Sequence, residues 1–155
     1  MVTDQYGTLL AELSSILKIP LKPDKHNTCL IHFEKEHLHV QIEIDSSKDF
    51  IIIGTNIAEV PPGRYRQDVF KQALQANYID KPRGGILAFS KHANKLVLFL
   101  KLPLKDLHGG LIAAALPDFL RKASRWKDEI EKNQLPPLSG ETSTQTTGNR
   151  MFGLA

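Results

Sequence analysis

The chain has 155 residues, 41% of them hydrophobic and 24% charged, which is typical of one soluble globular domain. The net charge of +3 is small and the basic residues are scattered among acidic ones, so charge gives little support to nucleic-acid binding. A single cysteine, no apolar run of the ~20 residues that span a bilayer and no signal-peptide pattern together indicate a cytoplasmic protein without an internal disulfide.

The first predicted element is an amphipathic helix over residues 3–17. Its apolar residues recur at helical spacing, and Thr3 or Asp4 is a suitable N-cap. Pro20 and Pro23 then favour an extended link to the first strand.

Three strands are predicted next, over residues 28–33, 38–45 and 50–60, as an antiparallel meander. In the second strand Val40 and Ile42 belong to an alternation of aliphatic and polar residues, which indicates one buried face. Residues 50–53 are apolar at every position, which predicts a central strand covered on both faces.

The second half of the chain predicts a helix, a hairpin and a last helix. The helix runs from Gly63 or Arg64 to about Asn77, and the hairpin pairs residues 86–90 with 96–102. The last helix is predicted from Asp106, as N-cap, to Lys132, with a kink or a separate first turn before Pro117. A folded domain over 1–135 and a flexible polar tail over 136–155 follow.

No catalytic or metal site emerges from the residue pattern. His37 and His39 share a strand face but lack the further ligands of a zinc site, and Cys29 and His32 point to opposite faces. Cys29 has no feature that lowers a thiol pKa, and nucleotide and hydrolase motifs are lacking. We therefore predict no enzyme, no metal and no cofactor.

Apolar residues exceed what three helices and a five-stranded sheet bury with ease. The helix over 64–77 carries a bulky stripe, and two strands are apolar almost throughout. Two interpretations are open at this point: the apolar residues fit within one chain, or the remainder packs against another chain.

Four stretches, in this order and spacing, resemble the class I type III secretion chaperones, the CesT/SycE-like (Tir chaperone) family. They are Leu10–Leu21, Asp24–Phe33, Pro61–Leu74 and Trp126–Pro136, and the resemblance covers roughly residues 5–138. It implies an α+β fold with the order α-β-β-β-α-β-β-α, a five-stranded antiparallel sheet and three helices. It further implies a cytoplasmic bacterial chaperone, part of a virulence-associated secretion system, without enzymatic activity.

The resemblance also implies two partner surfaces. One is a groove for the N-terminal region of a secreted effector or gate protein, which the chaperone keeps soluble and secretion-competent; its expected residues are Leu10, Leu13, Leu17, Leu30, Phe33, Val40, Ile42 and Ile53. The other is a homodimer or heterodimer interface with the expected residues Tyr65, Val69, Phe70, Leu74, Tyr78, Ile86 and Ala88. No nucleic acid and no membrane are expected as partners. The alternative function is a regulatory protein of the secretion system or of transcription that acts through protein contacts.

Overall fold

The computed structural model describes residues 2–80 and 84–138, with side chains from residue 5 onward. The predicted element order and the α+β class are confirmed. The elements are α1 (Val2–Leu17), β1 (Thr28–Phe33), β2 (Leu38–Ile44), β3 (Phe50–Glu59), α2 (Arg64–Ile79), β4 (Ile86–Ser90), β5 (Lys95–Pro103) and α3 (Gly109–Glu131). None of the helices in these ranges is both long enough and apolar enough to cross a bilayer.

All five strands form one antiparallel sheet in the order β1-β2-β3-β5-β4, with β3 at its centre as the sequence predicts. The pairing of β3 with β5 runs from Phe50↔Pro103 to Glu59↔Lys95 and is interrupted by a bulge between Asn56 and Ala58. The two edges of the sheet are therefore β1 and β4.

The three helices cover one face of the sheet, which we call the inner face. Alternate strand residues such as Val40, Ile53 and Leu98 are fully buried there beneath Phe119 and Trp126 of α3. Burial of these side chains supplies the main stabilising free energy, at about 1.5–3 kcal/mol for each large apolar side chain.

The opposite, outer face of the sheet lies open, and the prediction that residues 50–53 are covered on both faces is wrong. Ile51 and Ile53 are buried on the inner face, whereas Phe50 and Ile52 are only half-buried on the outer one. The physical reason is that all the helices pack on one side, so an apolar run in β3 has one covered face and one exposed face.

Two polar side chains of α1 form hydrogen bonds with other elements of the fold. The Tyr6 hydroxyl donates to the carbonyl of Ile42, 2.8 Å away, and burial raises the pKa of Tyr6 well above its usual value. The main-chain N–H of Gly109, the first residue of α3, donates to the Glu12 carboxylate at 2.6 Å. A carboxylate at a helix N-terminus satisfies a free N–H and opposes the positive end of the helix dipole.

The last helix begins at Gly109, three residues later than predicted. Asp106 is not the N-cap; it has a φ of 60°, and His108 holds the cap position without a side-chain hydrogen bond. Pro117 lies inside a single helix rather than after a separate first turn. Gly109 is required because a Cβ there would lie 2.5 Å from the Cβ of Glu12.

Residues 134–138 pack along α2. The Tyr65 hydroxyl donates to the carbonyl of Gln134 at 2.7 Å, and the Gln72 amide donates to the carbonyl of Pro136 at 2.6 Å. Pro136 is buried and Leu138 is partly buried, so the described fold reaches three residues past the predicted boundary at 135. The rest of the predicted tail, 139–155, lies outside the described residues.

Candidate partner-binding surfaces

The residues predicted for the cargo groove fall into two groups. The side chains of five of them are almost wholly buried in the core, so contact with a cargo would require the core to open: Leu10, Leu13, Val40, Ile42 and Ile53. Leu17 and Phe33 are partly buried at the rim of the core, and Leu30 is 63% exposed on the outer face. Only the second group offers surface to a partner in this conformation.

Strand β1 presents a free hydrogen-bonding edge. Both main-chain groups of Thr28 bond to Asp24, its N–H to the carboxylate at 3.0 Å and its C=O to the Asp24 N–H at 2.8 Å. They therefore point away from β2, and the alternation of an antiparallel pair directs the N–H and C=O of Leu30 and His32 the same way. Among the described residues, nothing outside the β1–β2 ladder bonds to those four groups.

The pairing of His32 with His39 supports the outward direction of the His32 main-chain groups. Partners whose main-chain groups point outward are the more closely spaced pairs of an antiparallel ladder. The two imidazole rings accordingly lie edge to face with their centroids 4.2 Å apart. As predicted, Cys29 and His32 face opposite sides of the sheet, but His37 lies in the β1–β2 turn with a φ of 53° rather than on a strand beside His39.

Strand β4, at the other edge, is closed to strand addition at Leu87, its second residue. The side-chain amide of Asn77 in α2 donates to the carbonyl of Leu87 and accepts from its N–H, both at 2.8 Å. The amide thus takes the place that a neighbouring strand would occupy. The two sheet edges therefore differ, and β1 is the more available one.

The outer sheet face carries a row of paired residues that crosses all five strands. It runs Leu30, Gln41, Gly54, Phe99, Ile86. Because the central member is a glycine, a hollow of about 260 Å³ opens in the middle of the face, with Leu30 and Phe99 at its sides. The hollow is a surface that the sequence did not single out, although an isolated glycine inside a strand is a known sign of a close approach.

Three of the residues predicted for a dimer interface, Phe70, Leu74 and Ala88, line a second, apolar groove. The groove has a volume of about 190 Å³ and lies between α2 and β4, lined by Phe70, Ala73, Leu74, Leu87, Ala88, Phe89 and Leu96. Leu74 is 71% exposed and Tyr78 is 87% exposed beside it, and Ile86 is more than one-third exposed.

The other predicted interface residues contribute less surface. Val69 is fully buried against the core, and Tyr65 and Phe70 are partly buried. The Phe70 ring contacts that of Phe89 at a centroid distance of 4.8 Å, with the Arg66 guanidinium 5.0 Å from the centre of the Phe89 ring. Leu74 and Tyr78 are thus the most exposed large apolar side chains of α2, ahead of Ile79.

Chemistry at Cys29 is disfavoured by its surroundings. The side chain is buried, and this burial raises the pKa of the thiol, which lowers the fraction of reactive thiolate. Within residues 2–80 and 84–138, no group of three or more His, Cys, Asp or Glu side chains is placed to hold a metal ion. The surfaces described above are suited to binding a polypeptide.

Comparison with known proteins gives one family and several similar folds. A model of the Tir chaperone protein (CesT) family matches residues 8–127. A search of curated protein sequences found no match.

Three solved structures illustrate the similarity of fold. The HopA1–SchA chaperone–effector complex contains a chain with 17% identity and a TM-score of 0.67, over 81% of this chain and 95% of that one. The ExsC–ExsE complex contains a chain with 18% identity and a TM-score of 0.67, over 81% of this chain and 93% of that one. The structure of the Yersinia pestis type III secretion chaperone SycH in complex with a YscM2 fragment contains a chain with 18% identity and a TM-score of 0.60. That match covers 76% of this chain and 96% of that one. At these identities the likeness is one of fold.

Proposed function

We propose that this chain, which belongs to the Tir chaperone protein (CesT) family of class I type III secretion chaperones, binds its cargo as an added strand along β1. The resemblance found in the sequence is confirmed by the family match over residues 8–127. The cargo is an extended segment near the N-terminus of a secreted effector or gate protein. The similar folds cited above include a chaperone–effector complex and a type III secretion chaperone in complex with a fragment of another protein.

The free edge of β1 is the observation that carries this proposal. An extended peptide placed beside β1 can bond to the outward N–H and C=O groups of Leu30 and His32, while its side chains lie on the two faces of the sheet. The Asp24 bonds to Thr28 close the edge at one end, which limits the possible register. On the outer face the peptide would meet the exposed Leu30 side chain.

The apolar groove between α2 and β4 is proposed as the dimer interface. Leu74 and Tyr78 are large apolar side chains exposed beside a groove with almost no polar lining, and a second copy or a related chaperone would bury them. Because Asn77 occupies the edge of β4 at Leu87, we expect this contact to rely on side chains rather than on a shared sheet. β1 lies at the opposite edge of the sheet from β4, so this interface does not require β1.

We further propose that the protein works in the bacterial cytoplasm without catalytic activity or a cofactor. The family consists of chaperones, and the buried, poorly ionised Cys29 offers no nucleophile. The basic net charge of +3 suits an acidic cargo or an acidic heterodimer partner.

The test replaces Leu30 with proline. Since the N–H of Leu30 points outward, Leu30→Pro removes a donor for the cargo and leaves the β1–β2 ladder intact, and proline is tolerated on edge strands. The matched control, Leu30→Val, keeps the N–H and an aliphatic side chain. Both variants and the parent protein are tagged and used for nuclease-treated pull-downs from the native cells, with quantitative mass spectrometry.

We expect Leu30→Val to retain the main captured secreted protein and Leu30→Pro to lose it, with similar melting temperatures for all three proteins. Amide hydrogen exchange of the reconstituted complex should then show protection at Leu30 and His32. Equal capture by the proline variant, or unprotected amides in the complex, would rule out strand addition at β1.

A further inference from the structure

No contact among the described residues explains the glycine at position 54. Gly54 lies in the central strand, where a glycine weakens the sheet, and its φ is not in the left-handed region. A Cβ added there would meet only the carbonyl oxygen of Leu98, at an ordinary contact distance of 3.8 Å. The bulge of β3 falls later, between Asn56 and Ala58. A group that packs closely against the outer face would account for the missing side chain.

The hollow above Gly54 has the size and lining for one large apolar side chain. Its volume is about 260 Å³, and Leu30, Ile52 and Phe99 supply apolar walls. Gln41 and Glu43 form a polar rim on one side, where the Gln41 amide donates to the Glu43 carboxylate at 3.0 Å. An aromatic ring laid over a strand glycine contacts the neighbouring strands on both sides.

The chain carries a candidate for this hollow in its own segment 139–155. Residues 139–150 contain no apolar residue, and the next four are Met151, Phe152, Gly153 and Leu154. Arg150 directly precedes this apolar group and complements the charge of Glu43 at the rim.

The length of this segment allows the contact. Phe152 lies fourteen positions after Leu138, the last described residue, and at ~3.3 Å per position the chain between them reaches up to ~46 Å. A domain of this size has a radius of gyration of roughly 14 Å. Phe152 can therefore reach the outer face from the end of the α2-packed segment.

We propose that Phe152 occupies the hollow above Gly54 of the same chain when no cargo is bound. A cargo that uses the same hollow must then displace residues 151–154. Their presence lowers the apparent affinity for any ligand of this face by the fraction of time that the hollow is filled. The proposal depends on the hollow, and its test needs no cargo, so its outcome is separate from that of strand addition at β1.

The test uses methyl NMR of the full chain with labelled isoleucine δ1 groups. Ile52 lines the hollow on the outer face, whereas its neighbours Ile51 and Ile53 are buried on the inner face and serve as internal controls. Phe152→Leu keeps an apolar side chain but removes the ring. We expect this variant to move the Ile52 resonance and to leave those of Ile51 and Ile53 in place. An unchanged Ile52 resonance would overturn the proposal.

Two further samples test whether Phe152 contacts the hollow above Gly54 and whether it belongs to the same chain. In a Gly54→Val background the hollow is filled, so Phe152→Leu should no longer move the Ile52 resonance, while the melting temperature stays equal or rises. A persistent shift in that background would place Phe152 elsewhere and refute the proposal. The second sample mixes labelled Phe152→Leu protein with unlabelled parent protein. Recovery of the parental Ile52 resonance would mean that a second copy supplies the ring, which would overturn docking within one chain.

Discussion

Replacing Leu74 with aspartate should dissociate the proposed dimer without unfolding the chain. Leu74 is 71% exposed beside the groove between α2 and β4, so the folded monomer loses little when the side chain changes. Phe70 is a poorer choice for this test because its ring already packs against Phe89 within the chain. A charge at position 74 would instead be buried only when the second protomer binds.

The size of the effect follows from the exposed surface. Full burial of a leucine side chain is worth about 2 kcal/mol, so the 71% that remains exposed corresponds to about 1.4 kcal/mol in each copy. A twofold symmetric interface contains the residue twice, which gives about 3 kcal/mol. At about 1.4 kcal/mol for each tenfold change, the dimer dissociation constant should rise at least about hundredfold. Burial of the unpaired carboxylate adds to this loss.

Sedimentation equilibrium over a range of concentrations measures the dissociation constant directly. Leu111→Asp is the matched control because Leu111 is a half-exposed leucine on α3 that lies outside the groove. We expect dimers for the parent protein and for Leu111→Asp, and mainly monomers for Leu74→Asp, with similar urea midpoints. Dimers of unchanged strength in Leu74→Asp would show that the groove is not the interface.

Two other predictions concern the inside of the fold. Gly109→Ala places a Cβ 2.7 Å from the main-chain nitrogen of Leu13, so the free energy of unfolding in urea should fall by about 1–3 kcal/mol; an unchanged value would show that α1 shifts freely. The thiol of Cys29, with its pKa raised by burial, should react slowly with Ellman's reagent in the native protein and rapidly in urea. The raised pKa also contributes stability that is fully present below the ordinary thiol pKa and is lost as pH rises from there through the raised pKa of the folded state. Rapid labelling of the native protein would contradict the assigned burial.

The helices and strands could be predicted because their core-facing residues recur at regular spacing in the sequence. Alternation around Val40 and Ile42 marks β2, and the apolar stripes of α2 and α3 recur at helical spacing. Composition does not reveal which side of a strand the helices cover. Phe50 and Ile52 are as apolar as Ile51 and Ile53, and only the packing of three helices on one side separates them.

The features that distinguish the candidate surfaces depend on contacts between distant parts of the chain. The start of α3 at Gly109 is set by Glu12, 97 positions earlier, and no local pattern marks that contact. Asn77 closes the edge of β4 from another element in the same way. The groove residues taken from the family resemblance include core side chains because, in a small two-layer fold, apolar residues of the core and of a binding surface look alike in sequence.

The position of β3 in the sheet has a consequence during protein synthesis. Its second neighbour is β5, and the pair Glu59↔Lys95 joins residues 36 positions apart. At roughly 5–20 residues per second, a ribosome takes about 2–7 s to make that stretch. Until then the nascent meander has an unpaired edge at β3, which other chains can join. Slower translation between residues 60 and 95 should therefore increase aggregation of the newly made protein, even where its final stability is unchanged.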